Sequence, residues 1–294
     1  MTRNFIFLMI PIACLTIAIP LMRMERNGIQ HPAALARNIQ YRFHLQNTTN
    51  QPISPATFFV YAPVKQTQTQ RCTAVQTSHP YTLKVDGSGN QLMIFSFAEI
   101  PPYSTKVISI HACLEICNTP ADSYPDSGAS AASVDLSGAC EKKKFRNLAE
   151  QLRSDTPRKT AENIYHWIGD TIQYSGYSRE EKGACYAFTQ KKGDCTEFAD
   201  LFVELAHAAG VPARRVSGYL SPEGSGLAPS AYHDWAEFYE DGTWRIADAQ
   251  QRNFDTHYRD YVAMRIGFSH SDIERPTHFR QFRIEGKGLT VKMD

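Results

Sequence analysis

The 294-residue sequence predicts an α+β fold, with an all-β region first and a mixed helical and antiparallel region after it. Three observations carry that reading. Between Asn38 and Ile116, short alternations of apolar and polar residues recur with turn residues between them, the period-2 signature of half-buried strands. From Glu141 onward the apolar period lengthens to that of amphipathic helices. Beyond the last helix, two β-prone runs flank Asp241-Gly242, a turn dipeptide suited to a two-residue hairpin. With 42% apolar residues and a formal charge of +1, the chain has material for two cores and no strong electrostatic partner. Its basic residues are scattered among acids, with no basic patch interleaved with aromatics, so nucleic-acid binding has no support.

Residues 1–37 form a signal or membrane anchor and spacer. Phe5 to Met22 is an apolar run of about one bilayer's helical length, preceded by Arg3 and followed by Arg23 and Arg26. No small-residue cleavage site follows closely, since Ala34-Leu35-Ala36 lies far downstream, and an uncleaved anchor is favoured. Cys14 lacks the leucine three residues earlier that a lipoprotein signal requires, and reads as a membrane-buried thiol. The protein is therefore expected to be exported, periplasmic or extracytoplasmic, and to meet the membrane through this segment.

Residues 38–117 read as a β-sandwich of immunoglobulin-like architecture. Its strands are Ile39 to Leu45, Thr57 to Tyr61, Tyr81 to Val85, Gln91 to Phe97 and Thr105 to Ile110, with turns at Asp86 to Asn90 and Pro101-Pro102. His44, His79 and His111 have no regularly spaced partners and read as surface or core histidines, so the region is assigned to support or recognition. Residues 118–140, rich in Ser, Ala, Pro, Asp and Gly, read as a linker. In the domain 141–294, Glu141 to Arg153 and Pro157 to Ile172 are two helices, the second carrying Ile164, Trp167, Ile168 and Thr171 on one side. Both are expected beside a third helix.

That third helix begins at or beside Cys195. Asp194 suits an N-cap and Glu197 stands at the capping-box position, while Phe198, Leu201, Phe202, Leu205 and Ala209 mark one apolar face and Gly210 and Pro212 end it. A short, half-buried helix is expected. A thiol in the first turn feels the positive end of the helix dipole and unpaired N–H groups, both of which favour thiolate, although a lone cysteine is more often a small buried residue. In the hairpin, a two-residue Asp241-Gly242 turn sets Glu240 against Thr243 and Trp235 against Asp248. His233 and Asp248 then share one sheet face as diagonal neighbours within hydrogen-bonding reach, whereas a register slip of one residue would separate them.

Gly193-Asp194-Cys195, Ala209-Gly210-Val211-Pro212-Ala213-Arg214, His233-Asp234-Trp235-Ala236-Glu237, Trp244 and Asp248 together resemble the transglutaminase-like superfamily in order and spacing. The resemblance runs from Lys191 to Asp248, with one departure at Asp248-Ala249-Gln250, where many members have proline or threonine after the aspartate. It implies a papain-like cysteine-enzyme fold with Cys195 as nucleophile, His233 as its base and Asp248 as the group orienting the imidazole. It further implies an aromatic residue upstream to steady the oxyanion, for which Tyr174, twenty-one residues before Cys195, is chosen over Tyr177; a core tyrosine is the competing reading. The implied chemistry is acyl transfer through a thioester on an amide or peptide substrate, with no metal or organic cofactor. Hydrolysis by a protease or amidase is favoured over cross-linking transamidation, and a non-catalytic scaffold module is the rival.

Seven cysteines, less Cys14 and Cys195, leave an odd number, so at least one of Cys72, Cys113, Cys117, Cys140 and Cys185 lacks an intramolecular partner. A bridge from Cys72 to Cys113 or Cys117 fits an exported protein, but the pairing is not legible from sequence. After Asp248, Arg252 to Met264 and the closing strands through Val291 are expected to frame a cleft edge, with His257, His270 and His278 exposed or structural.

Overall fold

The computed structural model describes residues 34–121, 142–222, 226–267 and 281–294. The run 5–22, the linker segment 122–141 and His270 and His278 lie outside the described residues. Among the described residues, no helix is long and apolar enough to cross a membrane.

The first half is built from β1 (Leu35–Asn47), β2 (Ala56–Ala62), β3 (Gln70–Thr77), β4 (Thr82–Val85), β5 (Gln91–Phe97) and β6 (Thr105–Ile116). Alternation decides which face is buried: Ile39, Tyr41, Phe43 and Leu45 of β1 point inward with Ile108 and Ile110 of β6, and they meet Phe58, Val60, Met93 and Phe95 from β2 and β5. Phe43 and Phe58 touch across the gap with ring centroids 5.0 Å apart. β3 has no counterpart among the expected strands. Its pairing with β6 slips between Cys72 and Ala74, and this bulge destroys the alternation that would have marked it. The slip also separates the thiols. Cys72 lies opposite Leu114 and packs against the core while Cys113 is exposed, so Cys72, Cys113 and Cys117 are free and the expected bridge is absent.

The mixed half runs α1 (Lys142–Leu152), α2 (Pro157–Thr171), β7 (Gln173–Tyr174), α3 (Gly183–Gln190), β8 (Lys192–Gly193), α4 (Cys195–Ala208), β9 (Ala213–Leu220), β10 (Tyr232–Glu240), β11 (Thr243–Asp248), β12 (Asn253–Phe254) and β13 (Tyr261–Gly267). An antiparallel sheet in the order β12-β11-β10-β9-β13 forms its floor. α4 lies between that sheet and the other helices, with Leu201, Phe202 and Leu205 in one core with Phe145, Ile164 and Ile168 on the helical side and Ala213, Ala236 and Phe238 on the sheet side. The helix is therefore central rather than half-buried: Cys195 to His207 are all buried. Asp200 and His207 are paired within this core. Asp200 accepts from Arg215 at 2.8 Å and the His207 ring contacts the Ala213 carbonyl at 2.8 Å.

The chain then returns to its beginning. β14 (Phe282–Glu285) pairs with β2 and β15 (Leu289–Met293) pairs with β1, which gives two four-stranded sheets ordered β14-β2-β5-β4 and β15-β1-β6-β3. These strands, assigned from sequence to the 141–294 unit, belong to the sandwich, where Phe282 packs on Phe43 at 5.4 Å. Strand periodicity is local, and the partner it selects is not. The halves also share a core, since Tyr219, Val262 and Met264 pack with the sandwich residues. Side-chain amides close the edge of β13: Gln70 pairs with both the N–H and the carbonyl of Ala263 at 2.9 Å, and Asn90 does the same to Ile266 at 2.6 and 2.8 Å. Each amide stands in for a neighbouring strand at this edge, where the Ala263 carbonyl also accepts from the Val64 amide at 2.8 Å.

Candidate active site

The start of α4 is fixed by two carboxylates. Asp194 is the N-cap and its Oδ1 accepts from the Thr196 amide at 2.9 Å, while Glu197 Oε2 accepts from the Asp194 amide at 2.9 Å, completing the capping box. Their second oxygens reach outward: Asp194 Oδ2 accepts from Ser178 N at 3.0 Å and Glu197 Oε1 from Lys182 N at 2.8 Å. The loop beside Cys195 is thereby tied to the helix that carries it. Gly193 is required for this arrangement, because a Cβ there would lie 2.4 Å from the Cβ of Glu197. Cys195 is the first residue of α4 and is 7% exposed, at the positive end of the helix dipole.

Tyr174 reaches the same place through β7, which pairs parallel to β8 with Tyr174 opposite Gly193, two residues before the cysteine. It is half exposed and lines the cleft with Tyr177. Partial burial, together with negative charge at Cys195 and Asp194, holds its phenol above the usual range, so it remains an O–H donor at neutral pH.

His233 comes from β10, opposite Gly218 of β9. A Cβ on Gly218 would stand 2.0 Å from the Val262 carbonyl oxygen, so the close approach of β9 and β13 excludes every larger residue. The hairpin has the expected register, with Glu240 opposite Thr243 and Ala236 opposite Ala247. It brings His233 Nε2 to 2.6 Å from Asp248 Oδ2, with the two side chains 5% and 2% exposed. With a carboxylate at Nε2 that nitrogen carries the proton, and Nδ1 is left to exchange a proton with a thiol. Trp235 stacks on the imidazole at 6.3 Å and 15°. Asp248 also accepts from Tyr261 Oη at 2.9 Å and from the Gln251 amide at 3.1 Å, and Asn253 Nδ2 donates to Tyr261 Oη at 3.1 Å. Burial, then the nearby Asp248 charge, pushes the Tyr261 phenol far up, which keeps it a donor.

Cys195 and His233 face one cleft of about 560 Å³, with Tyr174, Tyr177, Tyr232 and Gln250 among its walls. The structure thus brings all four residues singled out from sequence to one place: Cys195, His233 and Tyr174 at the cleft, Asp248 behind the imidazole. Tyr261 was not among them. It stands thirteen residues past Asp248 and reaches it only because β13 crosses to the far side of β9, a placement with no local signal. Among the described residues, no group of three or more His, Cys, Asp or Glu side chains converges to hold a metal ion.

The model of the Transglutaminase-like superfamily matches residues 146–249. An uncharacterized protein of Mycobacterium leprae is 23% identical over 126 residues, covering 41% of this chain and 44% of that one, so the match spans less than half of the relative. Among solved structures, a candidate cysteine protease of Cytophaga hutchinsonii has a TM-score of 0.55 at 20% identity, over 88% of this chain and 92% of that one, a likeness of fold. The periplasmic domain of TgpA from Pseudomonas aeruginosa has a TM-score of 0.39 at 18% identity, over 74% of this chain and 72% of that one. Residues 146–249, the segment that holds Cys195, His233 and Asp248, belong to the transglutaminase-like superfamily.

Proposed function

We propose that this chain is a thiol-dependent acyl-transfer enzyme that acts on amide or peptide bonds and releases the acyl group to water. One observation carries the reading: the 2.6 Å bond from His233 to Asp248, made beside a cleft that His233 shares with a cysteine at a helix N-terminus. His233 takes the thiol proton and the Cys195 thiolate attacks the carbonyl carbon, forming a C–S bond and an oxyanion. The Cys195 amide and the Tyr174 hydroxyl hold that charge, a kind of interaction whose single donors are worth roughly 10²–10³ in rate. As the C–N bond breaks, imidazolium protonates the departing amine; the imidazole then deprotonates water, which attacks the thioester and restores the thiol. Asp248 holds the ring and stabilises its cationic form. Transfer to a lysine-type amine would use the same groups, and a substrate screen with and without added primary amine separates the two outcomes.

The base assignment is tested by alkylating Cys195 in the full-length chain across pH and reading the labelled peptide by mass spectrometry. Labelling is expected to persist well below the pKa of about 8.5 of an ordinary thiol and, in His233→Ala, to retreat to alkaline pH while turnover falls steeply. An identical pH profile in folded His233→Ala defeats the assignment. The exported, membrane-anchored location belongs to the same proposal, supported by the apolar run 5–22 and by Cys185, which is disulfide-bonded as in proteins of oxidising compartments. So does the immunoglobulin-like character of the sandwich. Recovery of the intact chain in the soluble cytoplasmic fraction would rule out the location.

A further inference from the structure

The side of the sheet turned away from His233 holds a polar connection between α4 and β10, the two elements that carry Cys195 and His233. Successive side chains on β10 point to opposite faces. His233 and Trp235 therefore face the Asp248 side, while Asp234, Ala236 and Phe238 face α4, as the shared core of α4 with Ala236 and Phe238 requires. On that face Asp234 Oδ2 accepts from Thr196 Oγ1 at 2.6 Å. Thr196 is fully buried and Asp234 is 2% exposed. The bond joins the residue after the cysteine to the residue after the histidine.

We infer that the Thr196–Asp234 bond is a positioning strut that sets the separation of Cys195 and His233. α4 and β10 also share an apolar core through Ala236 and Phe238, but apolar packing is non-directional and tolerates sliding. A hydrogen bond to a carboxylate is directional and among the stronger ones. It stands one residue from each reacting side chain, so little chain lies between the strut and the groups it fixes. The rest of the face keeps Asp234 in place: Tyr232 Oη donates to its Oδ1 at 3.4 Å, and Arg215, held by Asp200 at 2.8 Å and by Glu181 at 3.4 Å, lies close enough for Asp234 to act on its charge. A misplacement of about 1 Å between reacting groups can cost on the order of 10²-fold in rate, so a fixed spacer at this point bears directly on turnover.

The strut rests on the assignment of Cys195 and His233 as nucleophile and base, and the experiment separates the two. Thr196→Val removes the hydroxyl and keeps the shape, whereas Thr196→Ser keeps the hydroxyl. Full-length wild type and both variants are alkylated at Cys195 across pH, and thermal unfolding is recorded for each. The acid limb of wild-type labelling is expected to move about one pH unit toward alkaline in Thr196→Val, a tenfold loss of thiolate at a given acidic pH, and to return in Thr196→Ser. Turnover should fall about tenfold at unchanged KM. A purely structural threonine would lower the unfolding temperature and leave the limb where it was, and that result overturns the strut alone. A wild type with no labelling below the ordinary thiol range overturns both strut and base assignment. Should Thr196→Val not fold, Asp234→Asn tests the bond from its other end, because the amide oxygen still accepts but more weakly; the limb must then move in the same direction, and an unmoved limb overturns the strut.

Discussion

Replacing Gly193 by alanine perturbs the site through one added methyl group. That carbon would lie 2.4 Å from the Cβ of Glu197, 3.2 Å from its Cγ and 3.4 Å from its Oε2. The nearest atom is a Cβ, so no rotamer change relieves the clash, and either β8 or the first turn of α4 must move. Glu197 then loses its hold on the amides of Asp194 and Lys182, now at 2.9 and 2.8 Å. Loss of a helix cap costs ~0.5–2 kcal/mol, and a buried amide left without an acceptor costs ~1–3 kcal/mol. Together they predict destabilisation of about 1.5–5 kcal/mol, which for a chain of 294 residues lowers the unfolding temperature by roughly 2–8 °C. Urea denaturation gives the stability. The rate of Cys195 alkylation in native buffer reports the site, and it should fall, because the loop that follows Tyr174 and the helix carrying Cys195 are joined through these carboxylates. A Gly193→Ala protein within about 0.5 kcal/mol of wild type, the usual range for an innocuous surface change, and with unchanged labelling would refute the account of why glycine precedes Asp194-Cys195.

Tyr261→Phe removes one donor from Asp248 and leaves the ring packing; kcat should fall about fivefold, the equivalent of one hydrogen bond of ~1 kcal/mol, with KM unchanged in steady-state assays. Burial, with Glu181 and Asp234 adding to it and Arg215 opposing it, pushes the Asp200 carboxyl up to about 6 from 3.8. Because the folded value is the higher one, the stability this group contributes is fully present below about pH 4 and is lost as pH rises through about 6. Asp200→Asn should therefore flatten the stability curve between those limits relative to wild type, and parallel denaturation curves at pH 4 and pH 6.5 would contradict this. Gln68→Ala leaves the Trp244 amide and the Gly242 carbonyl without the partner that now meets them at 2.6 and 2.8 Å. A loss of roughly 1–3 kcal/mol in a single unfolding transition is expected, and a separate low-temperature transition of the sandwich would contradict the shared core.

What was legible in the sequence was whatever depends on neighbours along the chain. The capping box at Asp194 and Glu197 needs residues three apart, and the His233–Asp248 bond needs only a two-residue turn to set parity, so both were readable without a fold. Tyr174 was reached by resemblance, and the parallel β7–β8 pairing that brings it there joins residues nineteen apart. β3 was lost to its bulge, and α3 carries no marked apolar stripe in its eight residues. The depth of α4 was underestimated: Asp200, Glu204 and His207, which lie off its apolar face, are buried as well. A charge patterned like surface is buried when a partner waits on another element, and Arg215 stands fifteen residues away on a strand. Tyr261, Thr196–Asp234 and the destination of β14 and β15 all depend on which strand lies beside which, and local periodicity is silent on that.

The return of the C-terminal strands gives the sandwich a part in the site. Gln281, which leads into β14, lines the cleft shared by Cys195 and His233, and so do Pro229, Ser230 and Ala231. The segment holding those three is fastened to β1 by a parallel bridge between Gln40 and Gly226 and by the Leu227 amide donating to the Gln40 carbonyl at 3.1 Å. Arg37, also on β1, donates to the Arg259 carbonyl at 3.1 Å and to Ser221 Oγ at 2.6 Å, just beyond the end of β9. One wall of the cleft is therefore hung from the sandwich, while Cys195 and His233 stand on the helix and sheet of the other half. A chain cut before residue 141 would lose the β1 contacts that support that wall and the partners that close the edge of β13, the strand whose Tyr261 holds Asp248. The sandwich thus bears on the orientation of the imidazole through β13, by way of the amides of Gln70 and Asn90, without touching the reacting atoms.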